Sequence, residues 1–272
     1  MPDPHPFDLA TRLVPVGEGQ FQGQTSAAYG NLVGPFGGVT SANLMQAVLL
    51  DARRAGDPIS ITVNFCAAIA DGAFDIHSRL IRSGKYLQHW SLELHQGARI
   101  CSTASIITAQ RGGDFSHQPV TPPDVKAAAD CAPLPGIPKF SSWLDRYDFR
   151  YIEGPPPMTG PPLGGLGQAR SALWIRDEPK RALDYLSLTA LSDSFLLRLF
   201  HVRCTMVPMG TVSLTTHFIA SAPEVTAQGA DPVLGVADAL RFHGNFHDQN
   251  MQIWGGDGNL LATGTQMVWF KD

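Results

Sequence analysis

The sequence predicts an α+β protein made of two fused copies of one unit, each an antiparallel sheet with one long helix. Residues 60–65 (SITVNF) return as residues 213–218 (SLTTHF), an offset of 153 in a chain of 272 residues. An apolar helical segment precedes each copy, and more strand pattern, a turn and a last strand follow each copy. Agreement in order and spacing along both halves indicates a duplicated supersecondary unit. A site at the interface between such halves can be asymmetric, because the two copies can diverge.

The first half contains one predicted helix and a series of predicted strands. Apolar residues of segment 40–54 recur at helical spacing, directly after a glycine-rich breaker at 34–38. Alternating patterns typical of strands cover the segments 9–16, 19–28, 59–68, 74–82, 87–96 and 98–110. Gln96 and Gly97 predict a hairpin turn between the last two strands.

The middle of the chain is rich in proline and glycine and predicts a connection that wraps the surface. Its aromatic residues, including Phe140 and Trp143, indicate that part of it docks onto the rest of the protein. We therefore expect three parts: an N-terminal unit over residues 1–112, a connection over 113–167 and a C-terminal unit over 168–272.

The second half repeats the order of the first. A strand over 171–176 precedes a strongly apolar segment, which predicts one buried helix over 183–202 with Asp184 in its N-cap region. Further strands are predicted over 211–222, 233–243, 245–254 and 260–270. The glycine-rich residues 255–258 predict the hairpin turn before the last strand.

One carboxylate lies within the apolar segment of the second half. Asp193 shares a side of the predicted helix with Leu197 and Phe200. A buried carboxylate needs hydrogen-bonding partners or a chemical role. The alternative is that Asp193 caps a neighbouring element, or lies on one solvated strip with Thr189, and the sequence leaves both possibilities open.

Two polar residues on later strands are further candidates. Gln266 lies in the final strand, and alignment on the hairpin glycines Gly97 and Gly258 makes Ser105 its counterpart in the first half. An amide on an inward strand face can orient a water molecule, whereas on the outward face it is only a solvated side chain. Thr211 begins a predicted strand, where threonine is common for its β-propensity alone.

Composition and charge exclude several classes of protein. A net charge of −4 without a Lys/Arg run disfavours nucleic acid and anionic membranes as main partners. No apolar stretch reaches the length of a membrane span, and the N-terminus predicts no signal peptide. The four cysteines show no C-x-x-C spacing, which indicates a cytoplasmic protein with reduced core cysteines.

Several chemical motifs are absent or misplaced. His243 and His247 would face one side of a helix, but their segment alternates as a strand, so we expect no metal site. Gly165 and Gly167 follow prolines rather than a strand, unlike a dinucleotide fingerprint. The sequence has no G-x-S-x-G elbow of a serine hydrolase. The dehydratase pattern H-x-x-x-G-x-x-x-x-P is also absent, because Thr205 stands where that pattern, started at His201, needs glycine.

Four features together resemble the acyl-CoA thioesterase II family. They are Phe36-Gly37-Gly38 at the start of a helix, Asp193 within LSDSF, Thr211 two residues before Ser213, and Gln266 within TQM. The family has a double hotdog fold, two fused units in which an antiparallel sheet wraps around one long helix. The resemblance covers nearly the whole chain.

The resemblance implies hydrolysis of acyl-CoA, without a cofactor, in fatty acid metabolism. Asp193, Thr211 and Gln266 would hold and activate the attacking water. Backbone N–H groups at a helix N-terminus could meet the oxyanion, which suggests Gly37 and Gly38. A thiol is a good leaving group, so such a site needs a placed nucleophile more than a strong acid.

The chain departs from the family pattern at three places. Val39 replaces the glutamine of Phe-Gly-Gly-Gln, residues 217–221 (HFIAS) replace Trp-Phe-His-Arg-Pro, and Ser213 replaces an acidic residue. These departures favour an alternative, a non-catalytic acyl-CoA or lipid-binding double hotdog. A third reading is a structural subunit of a hotdog oligomer. Open sheet edges invite pairing, so we expect a homo-oligomer, formed through these edges or through the Pro-rich connection.

Overall fold

The protein is described by a computed structural model that covers residues 3–134, 141–156 and 165–271. Phe140, which was expected to dock, and residues 157–164 of the predicted connection lie outside this description. Five α-helices lie within it: α1 (Pro6–Ala10), α2 (Gly37–Leu50), α3 (Tyr185–Leu191), α4 (Arg198–Arg203) and α5 (Ala222–Ala227). Short 3-10 helices cover Ala27–Tyr29, Ala128–Asp130 and Ser142–Arg146.

All strands of the described residues join one antiparallel sheet. They are β1 (Val14–Gly17), β2 (Gln20–Gln24), β3 (Asp57–Phe65), β4 (Ala73–Ser83), β5 (Leu87–Gln96), β6 (Arg99–Ala109), β7 (Tyr147–Glu153), β8 (Ser171–Asp177), β9 (Met209–Phe218), β10 (Val233–Asp238), β11 (Phe242–His243), β12 (Phe246–Trp254) and β13 (Leu260–Phe270). Their order across the sheet is β1-β2-β4-β5-β6-β3-β9-β13-β12-β10-β8-β7, and β11 pairs with β12.

The sheet has an internal two-fold symmetry centred between β3 and β9. Thr62 pairs with Thr215, the residue 153 positions later, and their hydroxyl oxygens lie 3.0 Å apart. Ser60 pairs with His217 while Asn64 pairs with Ser213, so the two copies of the repeated segment cross antiparallel. Moving outward, each strand of the first half has a counterpart at the same place in the second half. The repeat in the sequence is therefore a structural duplication.

Helix α2 forms the centre of the first half. Most of its residues are buried, including Leu44, Met45, Ala47 and Val48, because the helix is apolar on nearly every side. It packs against strands β4, β5 and β6 and against α3 of the second half. The two halves thus share one hydrophobic core.

The single helix predicted over 183–202 is wrong, because the structure divides it into α3 and α4. Asp184 does cap α3, accepting a bond of 2.8 Å from the N–H of Ser187. The helix ends where Ser192 and Ser194 donate their hydroxyls to carbonyl oxygens three residues earlier, each at 2.7 Å. Such local bonds compete with helix continuation. Asp193 lies in this break rather than in the middle of a helix.

Three smaller predictions are also corrected. Segment 9–16 is partly helical, since His5 caps α1 and Pro6 begins it. The strand predicted over 211–222 ends at Phe218, and a capping box at Ser221 and Glu224 then starts α5. Cys66 is exposed rather than part of the core.

The counterpart of Gln266 is Ile106 rather than Ser105. Ile106 pairs with Ile61, and Gln266 pairs with Leu214, which is the repeat of Ile61. The hairpins differ in length, because Gln96 pairs with Arg99 whereas Trp254 pairs with Leu260. The first half therefore carries an apolar side chain where the second half carries an amide.

Part of the predicted connection belongs to the sheet. Strand β7 pairs with β8 and occupies the place that β1 has in the first half. Trp143 stacks on Phe36 with ring centroids 4.2 Å apart, so the connection also packs against the start of α2. The boundaries 1–112, 113–167 and 168–272 stay a prediction.

Candidate active site

A cavity of about 620 Å³ opens where the two halves meet. The start of α2, the end of β3 and the loop after it form one side, and the break between α3 and α4 forms another. The connection adds Trp143 and Leu144, and the start of β9 adds Thr211. Most lining side chains are apolar. Among the described residues that line the cavity, Asp193 is the only one with an acidic or basic side chain.

Asp193 and Thr211 line this cavity, and the side chain of Gln266 bonds to both. The amide nitrogen Nε2 of Gln266 donates to Oδ1 of Asp193 at 2.9 Å, and Thr211 Oγ1 donates to Oε1 of Gln266 at 3.2 Å. Gln266 Nε2 also lies 3.5 Å from the carbonyl oxygen of Ser192. The NH2 group of Gln266, rather than its oxygen, must face these two oxygens, since a carboxylate and a carbonyl both require a donor. The three predicted site residues thus form one chain of hydrogen bonds.

The N-terminus of α2 faces the carboxyl group of Asp193. The backbone N–H of Gly38 interacts with this group. It is one of the N–H groups that a helix leaves without an internal partner, and the helix dipole favours negative charge there. Gly37 and Gly38 are therefore both adjacent to the carboxyl group of Asp193.

The two glycines are required for different reasons. A Cβ atom on Gly37 would lie 2.5 Å from Oδ2 of Asp193, so any side chain there would displace the carboxylate. A Cβ atom on Gly38 would lie 2.5 Å from the carbonyl oxygen of Ala190 and 2.4 Å from the ring of Phe36. Gly37 therefore keeps space in the site, whereas Gly38 permits the close packing of α2 on α3.

Burial raises the pKa of Asp193 to about 7, from an ordinary value of 3.8. The hydrogen bond from Gln266 and the N–H of Gly38 act in the opposite direction and lower it. Desolvation dominates because the carboxyl group is surrounded mainly by apolar side chains. A carboxyl group with this pKa exchanges protons near neutral pH, as a general base requires.

The residues that hold Asp193 in place were not predicted from the sequence. Ser192 accepts a hydrogen bond of 2.8 Å from Thr216 on β9, which ties the end of α3 to the sheet. Gln249 on β12 is fully buried and donates a hydrogen bond to the carbonyl oxygen of Phe195, in the segment between α3 and α4. The inward alternation of β12, which places Gln249 between His247 and Met251, was the available signal.

Comparison with known families shows to which family the chain belongs. Residues 25–109 match a family model for the acyl-CoA thioesterase N-terminal domain, and residues 126–270 match one for the acyl-CoA thioesterase C-terminal domain. The chain belongs to the acyl-CoA thioesterase family. The predicted resemblance is therefore confirmed. A comparison with curated proteins found no match.

Solved structures related to this acyl-CoA thioesterase family member confirm the double hotdog fold. A conserved protein of unknown function with a hot dog fold from Alicyclobacillus acidocaldarius is 36% identical, with a TM-score of 0.93 over 99% of both chains. An acyl-CoA thioesterase II from Mycobacterium marinum is 15% identical, with a TM-score of 0.76 over 97% of this chain and 98% of the other. At that identity the second likeness shows the fold alone.

In the described ranges, no helix is both long enough and apolar enough to span a membrane. Within the same ranges, no cluster of three or more His, Cys, Asp or Glu side chains could hold a metal ion.

Proposed function

We propose that this protein hydrolyses acyl-CoA thioesters to a free acid and CoA, with a water molecule activated by Asp193. The observation that carries the proposal is the hydrogen-bonded chain of Thr211, Gln266 and Asp193, whose two ends line an apolar cavity. Membership of the acyl-CoA thioesterase family supports thioester hydrolysis in general.

The reaction needs one proton acceptor that later becomes a donor. Asp193 takes a proton from water as the water oxygen attacks the thioester carbonyl carbon, and a tetrahedral oxyanion forms. The carbon–sulfur bond then breaks, and the proton on Asp193 passes to the leaving thiolate. A pKa near neutrality suits both steps, because the carboxyl group must release its proton as readily as it accepts one.

Gln266 and Thr211 have unequal roles in this proposal. Both hydrogens of the Gln266 amide are directed at Asp193 and at the carbonyl of Ser192, so Gln266 acts mainly by orienting the carboxylate. Thr211 donates its single hydrogen to Gln266 but keeps its oxygen lone pairs. One hydrogen of the attacking water can therefore be accepted by Thr211 while the other passes to Asp193.

The oxyanion would lie at the N-terminus of α2. The N–H of Gly38 interacts with Asp193, which leaves the N–H of Gly37 to face the carbonyl oxygen of the substrate. The absence of a side chain on Gly37 lets that carbonyl approach closely. The helix dipole adds to the stabilisation of the oxyanion.

The cavity favours an uncharged acyl group. Its walls include Phe36, Phe65, Phe195 and Trp143, and none of the described lining residues offers a cation to a second carboxylate. A dicarboxylic acyl group would also be repelled by an ionised Asp193. We therefore propose neutral fatty acyl groups as substrates, in keeping with a role in fatty acid metabolism.

The test is hydrolysis of a panel of acyl-CoAs of increasing chain length, in which the release of free thiol is measured. We expect turnover by the wild type and loss of turnover in Asp193→Asn. The alternative, a non-catalytic acyl-CoA-binding protein, is favoured only by the departures at Val39, at residues 217–221 and at Ser213. It predicts saturable binding of a non-hydrolysable acyl-CoA without thiol release on any chain length.

We also propose a cytoplasmic homo-oligomer. All four cysteines are free, which suits a reducing compartment. The outermost strands β1 and β7 each have one unpaired edge within the described sheet, and such edges invite association.

A further inference from the structure

The candidate base lies on a segment that is neither helix nor strand. Residues 192–197 link α3 to α4, and the N–H groups of residues 192–194 still bond to carbonyl oxygens of α3 three or four residues earlier. One end of this segment is tied to the sheet by Thr216, which donates to Ser192, and by Gln266, which donates to Asp193. A second tie is needed further along, because a segment held at one end can still rotate.

Gln249 supplies that second tie from the neighbouring strand. It pairs directly with Gln266 across β12 and β13, so the two amide side chains lie side by side on the inward face. Its Nε2 donates to the carbonyl oxygen of Phe195 at 3.2 Å, and its Oε1 accepts from the backbone N–H of Arg198 at 3.2 Å. The second bond caps an N–H group at the start of α4 that the helix itself leaves unpaired.

Arg198 strengthens the same end of the segment. Its side chain is fully buried, and its guanidinium donates to Ser171 Oγ at 2.6 Å and to the carbonyl oxygen of Leu196. The segment is thus held at residues 192 and 193 by one set of bonds and at residues 195, 196 and 198 by another. Asp193 belongs to the first set, and the second set holds the segment directly after it.

We propose that Gln249 is a positioning residue for thioester hydrolysis, which holds the segment bearing Asp193 so that its carboxylate meets Gln266 and the N-terminus of α2. The inference rests on the proposed function. Gln249 does not line the cavity, so its effect is transmitted through Phe195 and Arg198 rather than through contact with substrate.

An apolar residue in place of Gln249 would fill the same space but could not make these hydrogen bonds. Methionine in place of Gln249 would leave the carbonyl of Phe195 and the N–H of Arg198 buried without this partner. Buried backbone groups without a partner are costly, so the segment would shift until they found one. Such a shift moves Asp193 away from Gln266 and Gly38.

The experiment compares Gln249→Met and Gln249→Glu with the control Gln88→Met. Gln88 is also a buried strand glutamine with side-chain bonds to the backbone, at Ala55 and Arg53, but it lies away from the cavity. Steady-state kinetics with acyl-CoA are measured across pH, together with the melting temperature. All variants are compared in the same assay as the wild type.

We expect Gln249→Met to lower kcat by about 10²-fold, the loss typical of a misplaced catalytic group, with a smaller change in KM. The acidic limb of its pH profile should move to higher pH, because Gln266 and Gly38 lower the pKa of Asp193 and would be further away. Gln249→Glu keeps an acceptor for Arg198 and should retain more activity than Gln249→Met. Gln88→Met should lower the melting temperature but leave kcat and the pH limb unchanged.

The outcomes separate the two proposals. A wild type that hydrolyses no acyl-CoA refutes the proposed function. An active wild type whose Gln249 variants behave like Gln88→Met overturns the inference alone. If neither Gln249 variant folds, a crystal structure of the wild type decides, and a Gln249 side chain turned away from Phe195 and Arg198 overturns the inference.

Discussion

Replacing Asp193 by asparagine should make the protein more stable, and the gain should depend on pH. The pKa of Asp193 is raised from 3.8 to about 7 in the folded protein. Below pH 3.8 the carboxyl group is protonated in both the folded and the unfolded protein, and its burial has no electrostatic cost. As pH rises towards 7, the unfolded chain releases this proton while the folded protein retains it, so the free energy of unfolding falls. Above about pH 7 the carboxyl group is ionised in both the folded and the unfolded protein, and the loss of stability is complete.

The size of the effect follows from the pKa difference. One pKa unit corresponds to about 1.4 kcal/mol, so the burial destabilises the fold by roughly 4 kcal/mol at pH 8 and by roughly 1.5 kcal/mol at pH 5. Both figures are upper bounds, because the carboxyl group partly faces the cavity. Asparagine keeps the shape and removes the charge. Any effect of the amide itself is independent of pH and cancels when the two pH values are compared.

The assay is urea unfolding of wild type and Asp193→Asn at pH 5 and pH 8. We expect the stability difference in favour of the variant to be larger at pH 8 than at pH 5 by up to about 2.5 kcal/mol. Asp114→Asn is the control, because Asp114 is an exposed aspartate away from the cavity. A difference between wild type and Asp193→Asn that is the same at both pH values would show that burial does not raise the pKa of Asp193, and would refute the reasoning.

Four further predictions follow from the same geometry. Gln266→Met and Thr211→Val should each reduce kcat less than Asp193→Asn does, and the combined loss should be less than additive because the three act as a unit; additive losses in kcat would contradict this. Gly37→Ala should reduce kcat by about 10²-fold at a nearly unchanged melting temperature, whereas Gly38→Ala should mainly lower the melting temperature; the reverse pattern would be inconsistent with the close approaches at the two sites. Trp143→Ala should destabilise by about 3–5 kcal/mol and shift the optimum acyl chain to greater length, because it opens the cavity wall; an unchanged chain-length profile on the acyl-CoA panel would argue against Trp143 as part of the acyl site. Light scattering at micromolar concentrations should show an oligomer, and a monomeric mass would count against association through the sheet edges.

The strand framework could be predicted from sequence because its signals are local. Alternation of polar and apolar side chains located β5 and β13 at their observed bounds, and the repeat at 60–65 and 213–218 marked the two central strands. Turn residues such as Gln96-Gly97 fixed the hairpin between β5 and β6. Each of these features depends on neighbouring residues in the chain.

The break that carries Asp193 could not be predicted because its causes are not local. The segment is strongly apolar and resembles one continuous helix. Ser192 and Ser194 end α3, but serines also occur inside helices, and Gln249 caps α4 from a strand that lies more than fifty residues later in the chain. The counterpart of Gln266 was misplaced for a related reason, since the two hairpins differ in length and only the strand pairing reveals it.

The site residues themselves came from a resemblance supported by weak motifs. Asp193, Thr211 and Gln266 are separated by 18 and 55 positions in the chain, and their sequence contexts do not specify contact. The structure brings their side chains into one hydrogen-bonded chain. Their roles in catalysis stay predictions.

The most direct test of Asp193 as the general base is kcat/KM for an acyl-CoA across pH 5 to 9, in wild type and in Asp193→Asn. We expect wild-type activity to rise with pH and to reach half its maximum near pH 7, following the pKa of Asp193. Asp193→Asn, folded and at least as stable, should be slower by about 10²–10⁴-fold and should lose that limb of the profile. A folded Asp193→Asn protein that hydrolyses acyl-CoA as fast as the wild type, with the same pH dependence, would contradict the assignment.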